Sequence, residues 1–262
     1  MKSRRYIIIS TILSLIFCQF VFAAGGKGNV KQLGEKLYVW HLDEGTGKET
    51  KDATAGLVGK FNGDVEWTTG ILGKAVQMAG TAAAPVYIEV PHSNEVDMDE
   101  AITMMAWVYI DELPVGPQEN KNTIFYKNTY YLQIEPGAGN LAYYFYDTDN
   151  PGYHISFGKI TPKEWTHIAV VWDGSDVRFY INGEHDGTAI SQKGVGRSSP
   201  NKVLRFGGEN NACCPRFFVG IMDEVMLANY PLTEAEIQRI VNDTLDVSAH
   251  GKLTTTWGNL KM

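Results

Sequence analysis

The sequence predicts an all-β domain, a sandwich or a barrel, with one short helix near its C-terminal end. Three observations carry this. Short apolar runs alternate with turns rich in Gly, Asn, Asp and Pro from Leu37 to Ala228. β-branched and aromatic residues dominate those runs, as they do in strands. One later segment, Thr233 to Asn242, changes to helical spacing.

The N-terminus is of a different kind. Lys2, Arg4 and Arg5 precede an apolar run from Tyr6 to Phe22, broken only by Ser10, Thr11, Ser14 and Gln19. Small residues follow at Ala23 and Ala24. This predicts a signal peptide over residues 1–23, because the run is shorter than the roughly 20 residues that a bilayer span needs. Ser3-Arg4-Arg5 resembles a twin-arginine signal, but the apolar Tyr6-Ile7-Ile8-Ile9 favours the general secretory route. Phe17 is too large for the position before a lipid-bearing cysteine, so Cys18 is expected to leave with the signal. Residues 24–35, rich in Gly, Ala, Lys and Asn, read as a linker. The expected location is secreted, periplasmic or cell surface, with membrane contact only if the signal segment is retained.

Strands are expected at Leu37 to Trp40, Val86 to Val90, Ile102 to Ile110, Thr123 to Tyr126, Tyr130 to Glu135 and Leu141 to Tyr146. Further strands are expected at His154 to Phe157, Trp165 to Trp172, Val177 to Asn182, Leu204 to Gly207 and Gly220 to Ala228. Asp173-Gly174 and Asn182-Gly183 supply the positive φ that tight hairpins require. In Val177 to Asn182, Val177, Phe179 and Ile181 share one face, and Arg178, Tyr180 and Asn182 share the other. Thr233, with Glu236 three residues on, forms a capping box, and Ile237, Ile240 and Val241 give the helix an apolar face. That helix is expected at the edge of the sandwich or between the ends of its sheets. Residues 246–262 form a tail with one strand-like stretch, Lys252 to Trp257.

Of the 262 residues, 44% are apolar, enough for a sizeable core. The net charge is -7, and no run of Lys and Arg follows residue 5. Phosphate binding needs clustered cations, so nucleic acid is not an expected partner. Cys213 and Cys214 are adjacent. A bridge between neighbours is strained, though an oxidising compartment permits it, and two free thiols are the alternative. No second Cys/His cluster gives zinc spacing.

Six motifs in order resemble the laminin-G-like jelly rolls of the concanavalin A-like lectin/glucanase superfamily. They are Tyr38-Val39-Trp40-His41-Leu42-Asp43-Glu44-Gly45, Gly70-Ile71-Leu72-Gly73-Lys74-Ala75-Val76, and Ala101 to Ile110 around Trp107. The most specific pair is Trp165-Thr166-His167-Ile168-Ala169-Val170-Val171-Trp172 with Phe179-Tyr180-Ile181-Asn182-Gly183. The last is Gly220-Ile221-Met222-Asp223-Glu224-Val225 followed by Leu232 to Ile237. The resemblance implies an antiparallel two-sheet jelly-roll sandwich over residues 36–245. It implies a binding or recognition module for a glycan, or for an extracellular or cell-surface protein. A glycoside hydrolase of the same superfamily and a structural cell-surface protein are the alternatives, since fold does not fix function.

The resemblance also implies a structural Ca²⁺ held by Asp43 or Glu44, the Gly80 carbonyl and Asp223. Hard oxygen ligands of this kind suit calcium. From the residues themselves, Tyr144, Tyr146 and Tyr180 point away from the core if Leu141, Tyr143, Phe145, Phe179 and Ile181 point inward. With His167 and Arg178 nearby they make a sugar-binding constellation of ring faces and polar groups. Strand tyrosines are common, so covered packing positions are the plainer reading. Glu95-Val96-Asp97-Met98-Asp99-Glu100 resembles the carboxylate run of some retaining glucanases. Strand alternation puts Glu100 opposite Glu95, and the run reads as a solvated loop, so no catalytic residues are assigned. His167 and His185 have no triad or metal spacing and read as structural.

Overall fold

The computed structural model describes residues 36–116, 122–196, 201–210 and 215–245. The expected signal peptide, linker and C-terminal tail lie outside the described residues, as do Cys213 and Cys214.

The described chain is a sandwich of two antiparallel sheets with one C-terminal helix. The first sheet is ordered β14 (Glu184–His185), β13 (Asp176–Ile181), β12 (Thr166–Trp172), β7 (Ile102–Tyr109), β19 (Val219–Ala228), β5 (Lys74–Ala79) and β4 (Glu66–Thr69). β1 (Leu37–Trp40) also pairs with β19, and β15 (Ile190–Ser191) with β13. The second sheet is ordered β11 (Tyr153–Lys159), β10 (Asn140–Phe145), β9 (Tyr130–Ile134), β8 (Asn122–Lys127), β16 (Leu204–Phe206), β6 (Tyr87–Val90), β3 (Val58–Asn62) and β2 (Glu49–Lys51). A small hairpin, β17 (Gly208–Glu209) with β18 (Arg216–Phe217), forms its own ladder.

The core lies between the sheets. Trp40, Met104, Val108, Val170, Trp172 and Phe179 of the first meet Ile88, Phe125, Leu132, Tyr143, Phe145 and Phe206 of the second. Trp172 meets Phe145 at 4.5 Å between ring centroids, and Trp40 meets Phe206 edge-on at 4.9 Å. Alternation along each strand then fixes what faces outward.

On the first sheet that outward face is not open. Met105, Ala169, Val171, Tyr180, Met226 and Ala228 form a second apolar cluster there with Leu232 and Ile237. Ile237 belongs to α1, the helix over residues 234–245. The helix therefore packs on the face of the sheet, not at the sandwich edge. The capping box forms as expected. The Thr233 amide donates to Glu236 Oε2 at 2.8 Å, and the Glu236 amide donates to Thr233 Oγ1 at 3.3 Å. Asn182 and Gly183, at φ 52° and 85°, make the tight turn from β13 to β14.

Among the described residues the second sheet carries no such helix. Its register aligns one continuous row of outward residues. The row runs from Glu49 through Lys60, Glu89, Arg205, Tyr126, Tyr131 and Tyr144 to Tyr153. At about 4.8 Å per strand, the tyrosine part alone spans roughly 14 Å.

Candidate functional site

The structure divides the expected sugar constellation between the two sheets. Tyr144 lies in β10 and Tyr146 just beyond it, on the second sheet. His167 lies in β12, and Arg178 and Tyr180 in β13, on the first. All face outward as alternation requires, but away from each other. Tyr180 is 4% exposed in the cluster under α1. His167 packs edge-on against Trp107 at 5.4 Å, and burial pushes its pKa down to about 3. Arg178 donates to Asp173 Oδ2 at 2.7 Å and flanks Asp176 at 3.4 Å. Tyr180 thus packs under α1, His167 packs against a neighbouring strand, and Arg178 pairs with carboxylates of the β12–β13 hairpin. Sequence alternation gives the facing of a strand but not the sheet it joins.

The groups that gather around Tyr144 and Tyr146 come from the second sheet. Leu141, Tyr143 and Phe145 point into the core, so Tyr144 and Tyr146 point out. Their rings meet at 4.5 Å. Tyr153 stands edge-on to Tyr144 at 5.1 Å, and Tyr131 lies 5.8 Å from Tyr144. The Tyr131 hydroxyl donates to the Tyr146 hydroxyl at 3.4 Å. Tyr153 continues into an exposed stripe along β11, with Ile155 and, at 71% exposure, Phe157.

The hairpin of β17 and β18 brings polar groups to this corner. Gln133 Nε2 donates to Thr123 Oγ1 at 2.9 Å and to Glu209 Oε2 at 3.1 Å. Arg216 Nη1 donates to the same Glu209 oxygen at 3.0 Å and to the Tyr153 hydroxyl at 3.3 Å. A chain of hydrogen bonds thus runs from the buried β8–β9 ladder to an exposed phenol. Farther along the row, Arg205 lies over the Tyr87 ring at 4.7 Å and donates to Glu89 Oε2 at 2.9 Å. Burial raises the Tyr153 pKa to about 12 and raises that of Tyr131 as well, so both stay protonated at neutral pH. The corner sets the half-buried Tyr144 and Tyr146 rings and the exposed Tyr153 ring beside a largely buried Arg216–Glu209 pair, ring faces and hydroxyls of the kind that suit sugar rings.

Alternation in Tyr130 to Glu135 already implied that Tyr131 and Gln133 share a face. What joined them to Tyr153, Glu209 and Arg216 was long-range register, for which the sequence has no local signal.

The expected calcium ligands separate as well. Asp43 Oδ1 accepts the Lys74 amide at 2.6 Å, and Asp223 Oδ2 accepts the Leu72 amide at 3.2 Å. Both carboxylates thus face the turn between β4 and β5. A Cβ at Gly73 would stand 2.3 Å from Asp43, and one at Gly70 2.2 Å from Asp223, so the turn needs glycine there. Glu44 turns elsewhere, accepting from Thr50 Oγ1 and the Lys51 amide, each at 2.9 Å. Gly80 follows the last residue of β5, past the Ala79–Val219 pair, with its amide toward Phe218. That is roughly 13 Å along the strand from the Val76–Met222 pair beside Asp223. Asp43 and Asp223 thus approach the same turn, while Glu44 accepts elsewhere and Gly80 lies farther along the strand. Among the described residues, no three His, Cys, Asp or Glu side chains gather to hold a metal.

Asp223 and Glu224 lie where β19 passes from β5 to β1 along one edge, and the β7 ladder shifts register there. Glu224 takes φ 47°. Its Oε2 meets His41 Nδ1 at 2.8 Å, while its Oε1 is buried without a hydrogen bond. Burial, with Glu224 and Asp43 nearby, raises Asp223 to about 8, against the amides of Leu72 and Glu224.

The acidic run is a turn, not a strand. Asn94–Val96 is a 3₁₀ turn, and Val96 and Met98 enter the core. Asp97 pairs with Lys127 Nζ at 2.7 Å and His92 Nε2 at 3.1 Å. The carboxylates of 95–100 line no common strand face.

Residues 84–238 match the Laminin_G_3 family model of the concanavalin A-like lectin/glucanases superfamily. No curated protein matches the chain. Among solved structures, domain 4 of AbnA, an extracellular arabinanase from Geobacillus stearothermophilus in complex with arabinotriose, is similar. It is 20% identical with a TM-score of 0.61, over 79% of this chain and 98% of that one. The binding domain of botulinum neurotoxin DC in complex with SialylT is 12% identical with a TM-score of 0.58, over 80% and 51%. Trypanosoma rangeli sialidase in complex with the inhibitor DANA is 13% identical with a TM-score of 0.57, over 78% and 32%. The chain spans about half of the toxin domain and a third of the sialidase. At these identities the likeness is one of fold.

Proposed function

The chain belongs to the concanavalin A-like lectin/glucanase superfamily, and from that premise we propose that it is an exported binding module that takes glycans on the tyrosine corner of its second sheet. The observation that carries this is the gathering of Tyr131, Tyr144, Tyr146 and Tyr153 around the Glu209–Arg216 pair. Structural neighbours support it: one holds arabinotriose, another SialylT. Export rests on the N-terminal signal pattern, and an extracellular neighbour agrees with it. The test is a glycan array with the wild-type chain and Tyr144→Ala. Binding by the wild type that falls more than about tenfold in the variant supports the reading, since a central aromatic carries a large share of binding energy. A wild-type chain that binds no glycan but captures a cell-surface protein contradicts it.

We also propose a bracing Ca²⁺ between Asp43 and Asp223. Supporting it are hard oxygens facing one turn and a carboxylate whose charged form burial disfavours. A cation there would link β1, the turn before β5 and β19. Unfolding of a metal-free preparation with added Ca²⁺ tests it. A midpoint that rises, and that no longer responds in Asp223→Asn, is expected because a ligand of the folded state stabilises by mass action. An unresponsive wild-type midpoint refutes it.

A further inference from the structure

We propose that the tyrosine corner selects neutral, hydroxyl-rich glycans and rejects those bearing carboxylates. This rests on the glycan reading above and specifies its ligand class.

Arginine is the usual side chain for gripping an acidic sugar, because its guanidinium matches a carboxylate with two parallel hydrogen bonds. Among the described residues the face carries two such groups, and a protein carboxylate already meets each. Arg216 Nη1 is 3.0 Å from Glu209 Oε2, with the side chains 13% and 4% exposed. Arg205 Nε is 2.9 Å from Glu89 Oε2, with 17% and 31% exposed. Glu209 is also anchored from beneath by Gln133, which is wholly buried and tied to Thr123. An incoming carboxylate would have to displace Glu209 from that anchor or sit against its charge. Displacement would leave a buried carboxylate without its partner, and juxtaposed like charges are costly.

The connection that joins Tyr146 to Tyr153 carries carboxylates as well. The loop from β10 to β11 carries exposed Asp147 and Asp149 directly between Tyr146 and Tyr153. That loop is tied to the Lys193 segment, whose amide donates to Asp149 Oδ1 at 2.6 Å. A sugar hydroxyl meets the opposite situation. It both donates and accepts, so the exposed Tyr153 phenol and the outer edge of Arg216 can satisfy it while the Arg216–Glu209 pair stays in place. The aromatic rings serve the apolar faces of the sugar without regard to charge.

The experiment uses the full chain and length-matched oligosaccharide pairs, neutral against uronate- or sialic-acid-bearing, at low and physiological ionic strength. The expected result is neutral binding at least about tenfold tighter than acidic, with the gap narrowing as salt screens the repulsion. In Glu209→Gln, which keeps an acceptor for Gln133 and Arg216 but loses the charge, the gap should narrow at low salt too. Acidic glycans bound more tightly than neutral ones, with affinity falling as salt rises, would overturn the inference and leave the glycan reading standing. Binding of neither class would overturn both. Should Glu209→Gln fail to fold, the salt series on the wild-type chain decides alone.

Discussion

Lys127 places its ammonium 2.7 Å from Asp97 Oδ1 and 2.9 Å from the Lys202 carbonyl, with a side chain 1% exposed. Burial lowers its pKa against the pull of Asp97. A buried charge is tolerated only while it is paired. Asp97→Ala should therefore destabilise by about 3–5 kcal/mol in urea unfolding, while Asp97→Leu with Lys127→Met should cost far less. Equal losses in the two variants would contradict the pairing. His167 gives a pH dependence. Its folded pKa of about 3 lies below its ordinary 6.5, so the unfolded chain binds the extra proton between those values. Stability from this group is fully present above pH 6.5 and is lost as pH falls toward 3, by about 1.4 kcal/mol per unit. Subtracting the unfolding free energies of His167→Gln from those of wild type across that window isolates the slope. A flat difference would mean that the imidazole is hydrated in the folded state. In the sequence His167 could be read as a sugar-site residue or as a structural strand residue, and its packing against Trp107 follows from strand pairing that has no local signal.

At the scale of elements, α1 closes the first sheet. Ile237, fully buried, meets the cluster containing Met105, Ala169 and Tyr180. Ile237→Ala should destabilise by about 2–5 kcal/mol, as a large-to-small core change does. Glycan binding by the fraction that remains folded should be unaffected, because the ligand corner lies on the other sheet; a parallel loss of both would contradict that separation. The helix itself was legible through Thr233, Glu236 and the Ile237 spacing. Its docking place was not, since an apolar stripe does not name the sheet it covers. The strands show the same division. Those rich in β-branched and aromatic residues, β7, β12 and β13 among them, follow the sequence closely. β2, β3 and β4, with sequences ETK, VGKFN and EWTT, carry too little apolar alternation to stand out. β3 contains Gly59, where a Cβ would stand 2.8 Å from Ile88, so close strand packing replaced the side chain that would have marked it.

On the scale of the whole molecule, the two sheets have different outward faces from the same alternating pattern. One is sealed by α1 and holds Tyr180 and His167. The other aligns a row of tyrosines beside Arg205 and leaves Tyr153, Ile155 and Phe157 exposed. The family and the sandwich were legible in six ordered motifs, but the site was only half so. Tyr144 and Tyr146 could be named from alternation within one strand. Tyr153, Glu209 and Arg216 join them only through pairings between distant segments, and register is set by the packing of a whole face. Glycan binding by wild type, Tyr144→Ala and Tyr180→Ala distinguishes the two faces. Binding lost in Tyr144→Ala and kept by folded Tyr180→Ala places the ligand on the second sheet, as this account predicts. Binding kept in Tyr144→Ala and lost in folded Tyr180→Ala would put the ligand on the helix-covered face and contradict it.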